Sequence, residues 1–166
     1  MPLLKPRALL ARLPPEARLL GLDLGEKTIG VAVCDPARKV ASAVETLARS
    51  TPAADFAALA RLAAGRGVAA YVVGFPRNLD GTEGPACARV RSFIDKFMAY
   101  GRANGVEPQL TLWDERLSTQ AVERFMIEEA DLSRAKRAAR IDAMAATYIL
   151  QAALDGFARM LAERPG

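Results

Sequence analysis

The chain has 166 residues, 51% of them hydrophobic and 25% charged, with a net charge of +4. That length and mix suit one globular domain and exclude a disordered chain, while the positive balance permits a nucleic-acid partner. Histidine is absent altogether, which removes His-based triads, His-ligated zinc and His general acid–base chemistry. The two cysteines, Cys34 and Cys87, are too few for a disulfide framework and read as buried free thiols in a reducing compartment. Every long apolar stretch is broken before the ~20 residues a membrane span requires.

Residues 1–17 are apolar and basic, interrupted by Arg12 and Pro14-Pro15. They read as a loosely ordered arm rather than a signal peptide, ahead of a single domain over 18–160. Leu19–Leu24 is a short apolar strand with Asp23 inside it. The turn Gly25-Glu26-Lys27-Thr28 leads into Ile29–Cys34, which alternates bulky and small residues, so the pair reads as a β-hairpin. Asp35-Pro36 ends it, and Lys39–Leu47 is a third strand. Thr51-Pro52 has the form of an N-cap followed by proline at the first helical position, and Gly65 and Gly67 close that helix. Val68–Phe75 is a continuous apolar run, the pattern of a strand covered on both faces.

A polar loop from Pro76 to Gly84 follows, and Pro85 opens a helix whose Val90, Phe93, Ile94, Phe97 and Met98 share one face. Gln109–Trp113 is a further strand, running into Asp114-Glu115-Arg116. Ser118 or Thr119 caps another helix, and the last helix starts near Arg140. A hairpin followed by alternating helices and strands gives an α/β chain with a mixed central β-sheet flanked by α-helices.

Some acidic residues stand in apolar surroundings, where an unpaired charge is costly. Asp23 lies between Leu22 and Leu24; Asp114 and Glu115 end an apolar strand; Asp142 is placed in the first turn of a helix that is otherwise almost wholly apolar. Each has an ordinary explanation alone: a turn brace, a loop cap or ion pair, a favourable charge at a helix N-terminus. Together, on separate elements and without histidine, they make a site for hard cations such as Mg²⁺ or Mn²⁺. Two such ions roughly 3.5–4 Å apart are the usual arrangement for phosphodiester cleavage. Spacing leaves Asp114 and Glu115 as alternatives.

Gly21-Leu22-Asp23-Leu24-Gly25-Glu26-Lys27-Thr28-Ile29-Gly30-Val31-Ala32 resembles the opening of the YqgF (RuvX-like) family. Val72–Asn78 with Asp80–Gly84 resembles its central loop, Trp113–Thr119 its Asp-Glu-Arg block, and Asp142 through Gln151 its C-terminal helix. The resemblance implies a ribonuclease H-like fold and an acidic triad of Asp23, Glu115 and Asp142, and it selects Glu115 over Asp114. It implies a nuclease maturing pre-16S ribosomal RNA, or one resolving Holliday junctions; with its free thiols the protein is expected to be cytoplasmic, and to act as monomer or homodimer. For nucleic-acid contact we single out Gly25, Lys27, Arg77, Asn78, Arg116, Lys136, Arg137 and Arg140, the last three with Arg134 as a basic run along a phosphate backbone. An actin-like ATPase domain and a non-catalytic RNA-binding factor are the competing classes.

Overall fold

The computed structural model describes residues 3–115 and 134–163, the side chains of 134–142 excepted. Strand β1 (Arg18–Leu24) pairs antiparallel with β2 (Thr28–Cys34), Leu20 opposite Val33 and Leu24 opposite Ile29. On its other side β1 runs parallel to β4 (Val68–Phe75), Leu22 beside Val73. β3 (Ala41–Ala48) continues the antiparallel side and β5 (Leu110–Asp114) the parallel side, giving the order β3-β2-β1-β4-β5. The direction of chain crossover reverses at β1 and β4. In open α/β sheets, sites form outside the carboxyl ends of strands at such a point.

Alternation along the strands sorts the core into two layers. Leu20, Leu22, Ile29, Val31, Tyr71 and Val73 face α2 (Pro52–Ala64) and α3 (Pro85–Ala103). Between them Phe56 stacks on Phe97 at 5.1 Å and meets Phe93 edge-on at 5.2 Å. The opposite face carries Leu19, Ala32, Cys34, Ala70, Val72 and Trp113. It is covered by Ala146, Ile149, Leu150, Ala153 and Phe157 of α4 (Arg134–Ala162). As the sequence implied, Thr51 Oγ1 caps α2 by accepting from Ala54 N at 3.2 Å, Pro52 and Pro85 open their helices, and both cysteines are free and buried. No described helix is long and apolar enough to cross a membrane.

The expected loosely ordered arm is corrected over residues 3–12. Pro6–Arg12 forms α1, Leu9 is fully buried against the α4 layer, and Leu4 N donates to Leu110 O at 2.9 Å. A seven-residue helix with a single buried leucine has little periodicity to read, and tertiary contacts hold it. The third strand starts at Ala41 rather than Lys39. Asp35 Oδ1 accepts from Lys39 N at 2.7 Å and Val40 N at 2.9 Å, so those two residues belong to the preceding turn. These bonds favour the ionised form and lower the Asp35 pKa. The last helix is already formed at Arg134, not near Arg140. The run Arg134–Arg140 consists of alanine, arginine and lysine, all strong helix formers. The helix expected after Ser118 or Thr119 falls outside the described residues.

Candidate active site

Leu19, Gly21 and Asp23 alternate onto the α4 face of β1, and Ala70, Val72 and Gly74 onto the same face of β4. The helix comes very close here. A Cβ on Gly21 would stand 2.8 Å from Leu150 Cβ and 3.2 Å from Ala146 O, so only a glycine strand lets the α4 backbone settle at this depth. Gly30 lies opposite Asp23 in the hairpin, which keeps the partner strand free of bulk beside the carboxylate.

Glu115 follows directly after β5, whose last residue Asp114 pairs with Phe75. Its carboxylate lies over Gly74: a Cβ there would collide with Glu115 Oε1 and approach Ile149 Cδ1 to 2.8 Å. Glu115 therefore points to the α4 face, the face that Asp23 occupies. The strand ends alone separate Glu115 from its neighbour Asp114 in this way.

The electrostatics match the crowding. The Glu115 pKa is raised from 4.5 to about 7, first by burial, then by the negative charges of Asp23 and Asp114. A half-buried carboxyl pressed against other carboxylates is a group that a cation would relieve, and an all-oxygen donor set suits a hard divalent ion. Among the described residues no three acidic or cysteine side chains are grouped to hold a metal. The third member of the expected triad, Asp142, is on α4, four residues ahead of Ala146, and its side chain is outside the described residues. Its backbone position removes one ordinary explanation: eight residues beyond Arg134, Asp142 is too far inside the helix to act as an N-terminal charge.

The expected nucleic-acid contacts divide. Gly25 N donates to Thr28 O at 2.9 Å, and a Cβ there would sit 3.2 Å from the same oxygen, so the turn is tight. Lys27 is exposed at its tip. Arg77 is exposed at the carboxyl end of β4, with its guanidinium 5.4 Å from the centre of the Phe75 ring. Asn78 works on its own loop: Nδ2 donates to Thr82 Oγ1 at 2.9 Å and the backbone N–H to Thr82 O at 2.9 Å. Arg116 falls outside the described residues, as do the side chains of Lys136, Arg137 and Arg140.

Two residues escaped the sequence reading. Gly74 could have been found, since a glycine inside a buried strand marks a close approach. Arg49 carried no signal. Its Nη1 donates to Gly25 O at 2.7 Å and its N–H to Lys27 O at 2.8 Å, which fixes the turn behind Asp23.

A model of the RuvX family, described as Holliday junction resolvase, matches residues 17–156. A protein of Rhodospirillum centenum is 53% identical over 145 residues, covering 87% of this chain and 77% of its own. One from Rhodopseudomonas palustris is 52% identical over 147 residues, covering 89% and 88%. Both are provisionally named pre-16S rRNA nucleases. Among solved structures, Thermus thermophilus RuvC in complex with a Holliday junction substrate superposes with a TM-score of 0.54 at 15% identity, covering 89% of this chain and 97% of that one. That likeness concerns the fold, and it agrees with a mixed five-stranded sheet of ribonuclease H-like order. With the match running through nearly every described strand and helix, the chain belongs to the RuvX family.

Proposed function

We propose that this protein is a metal-dependent nuclease that hydrolyses phosphodiester bonds in precursor 16S ribosomal RNA in the cytoplasm. The observation that carries the reading is the Glu115 carboxyl, lifted to about 7 by burial and by Asp23 at the carboxyl end of the parallel strands. Burying like charges together is costly, and such perturbed groups cluster at functional sites. The names of the relatives supply the substrate class.

In this mechanism Asp23, Glu115 and Asp142 would hold the ions, Mg²⁺ or Mn²⁺, two in number. Ala146 and Ile149, four and seven residues after Asp142, pack on the sheet, and that spacing supports Asp142 as the third acid. Bound there, divalent ions would supply Lewis acidity at the phosphate and would acidify a water. The protein's own part is placement. Gly74 leaves room for the Glu115 carboxylate, and the hairpin held by Arg49 fixes Asp23. Lys27 and Arg77 are exposed at that end to meet phosphate oxygens, and Arg116, Lys136, Arg137 and Arg140 are further candidates for phosphate contact by charge. A water oxygen forms the new bond to phosphorus as one P–O ester bond breaks, and the leaving oxygen takes up a proton.

Cleavage of a precursor rRNA fragment with Mg²⁺ or Mn²⁺ tests this. Asp23→Asn and Asp142→Asn are each expected to lose about a hundredfold or more in rate. Full activity in Asp23→Asn would refute the triad. The family description favours a second substrate, the four-way DNA junction. Direct competition between junction and precursor rRNA decides between them, and a junction of two-fold symmetry calls for a dimer.

A further inference from the structure

A cleft of about 170 Å³ opens between the start of α2 and the first half of α3, on the sheet face opposite α4. Arg49, Arg89 and Lys96 line it above the rings of Phe56 and Phe93. Arg89, Ser92 and Lys96 follow one another at i, i+3 and i+7, so they form a single stripe along α3. The one carboxylate in the lining, Asp55, is buried. Its Oδ1 accepts from Ser50 N at 3.0 Å and Ser50 Oγ at 3.4 Å, so it serves the entry to α2.

The cations are not spent in the same way. Arg49 is held by its bond to Gly25 O at 2.7 Å and lies 5.7 Å from the Phe93 ring centre, which fixes the guanidinium in place. Its remaining N–H groups have no recorded acceptor among the described residues. Arg89 reaches Glu26 at 3.7 Å, but both side chains are largely exposed, and such a pair is easily exchanged for another anion. Lys96 is exposed with no ion-pair partner among the described residues. A row of three cations, matched only by the exchangeable Glu26 contact and by a buried Asp55 bonded to Ser50, fits a partner whose negative charges recur along a chain.

The cleft also adjoins the carboxylates. Arg49 grips Gly25, two residues after Asp23, and Arg89 touches Glu26 in the same turn. We propose that this cleft is a docking track for nucleic acid. The strand flanking the scissile phosphate passes over the end of the sheet at the Gly25–Lys27 turn and lays its next phosphates along Arg49, Arg89 and Lys96. The inference rests on the nuclease reading and adds to it a second binding surface on the other face of the sheet.

The test is fluorescence anisotropy of a labelled precursor rRNA fragment in EDTA, with affinity followed from low to moderate KCl. The double variant Arg89→Gln/Lys96→Gln removes two phosphate contacts and is expected to flatten the slope of log affinity against log salt by about 1.5. Ser92→Lys adds a cation to the stripe and steepens the slope by about 0.8. Arg102→Gln, at the far end of α3, keeps the wild-type slope. Because the two tests move the slope in opposite directions, misfolding cannot mimic the pair. Unchanged slopes in both, with wild type binding RNA, overturn the track and leave the nuclease reading standing. Polyglutamate binding that the double variant loses while RNA binding persists also overturns it, in favour of an acidic protein partner. Wild type that binds no RNA at low salt sinks both readings together.

Discussion

Glu115 owes its chemistry to its surroundings. In the metal-free protein its pKa of about 7 exceeds the ordinary 4.5, so the folded state holds a proton that the unfolded chain releases first. Stability tied to this group is fully present below about 4.5 and is lost as pH rises through about 7. Discounted for partial exposure, the loss is about 2 kcal/mol. Thermal melts in EDTA are expected to fall across that window for wild type and to stay flatter for Glu115→Gln, which becomes the more stable protein at pH 8. A divalent ion favours the carboxylate, so adding Mg²⁺ moves the titration to lower pH. Melts for wild type and Glu115→Gln that run parallel would show that Glu115 is not the titrating group. The carboxylate itself was legible in the sequence, because an acid at the end of an apolar strand is conspicuous. Its partner Gly74 was not singled out, since its significance depends on which side chain arrives above it from β5.

At the level of elements, the hairpin, the buried strand β4 and helices α2 and α3 were legible because periodicity and turn chemistry act locally. The start of α4 was not: a run such as Arg134–Arg140 reads as a charged surface, and only helix continuity shows that it belongs to the element carrying Asp142. Depth of packing is likewise invisible in the sequence, and two glycines report it differently. A methyl group at Gly21 meets Leu150 Cβ at 2.8 Å and the Ala146 carbonyl at 3.2 Å, which belong to the body of a helix and cannot turn aside. Gly21→Ala is expected to cost about 1–3 kcal/mol of stability by lifting α4 from the sheet. A methyl group at Gly74 meets the tips of Glu115 and Ile149, which can rotate away. Gly74→Ala is expected to keep most of its stability while losing activity, by about a hundredfold for a 1 Å displacement of the carboxylate. Denaturant midpoints and cleavage rates measured on both variants check this, and equal stability losses would contradict it.

For the molecule as a whole, the N-terminal segment is the feature that sequence reading placed least well. Leu9 has no exposed surface, and Arg7 Nη2 donates to Glu163 O at 3.4 Å, so α1 ties the start of the chain to the end of α4. Leu9→Ala is expected to cost about 2–3 kcal/mol as a buried leucine lost from a core. Urea unfolding reads this directly: an unshifted midpoint would mean that α1 is detached in solution. The fold class was accessible because hairpin-then-alternation leaves few arrangements. The strand order was not, because parallel neighbours are set by crossovers that no local pattern encodes.

That order leaves the two carboxylates dependent on a strand that carries neither of them. β4 lies between β1 and β5, so the nearness of Asp23 and Glu115 depends on the pairing of both its edges. The two carboxylates are 92 positions apart in the chain (115 − 23). Any change that unpairs either edge of β4 therefore parts Asp23 from Glu115, so the pair can be lost without touching either acid.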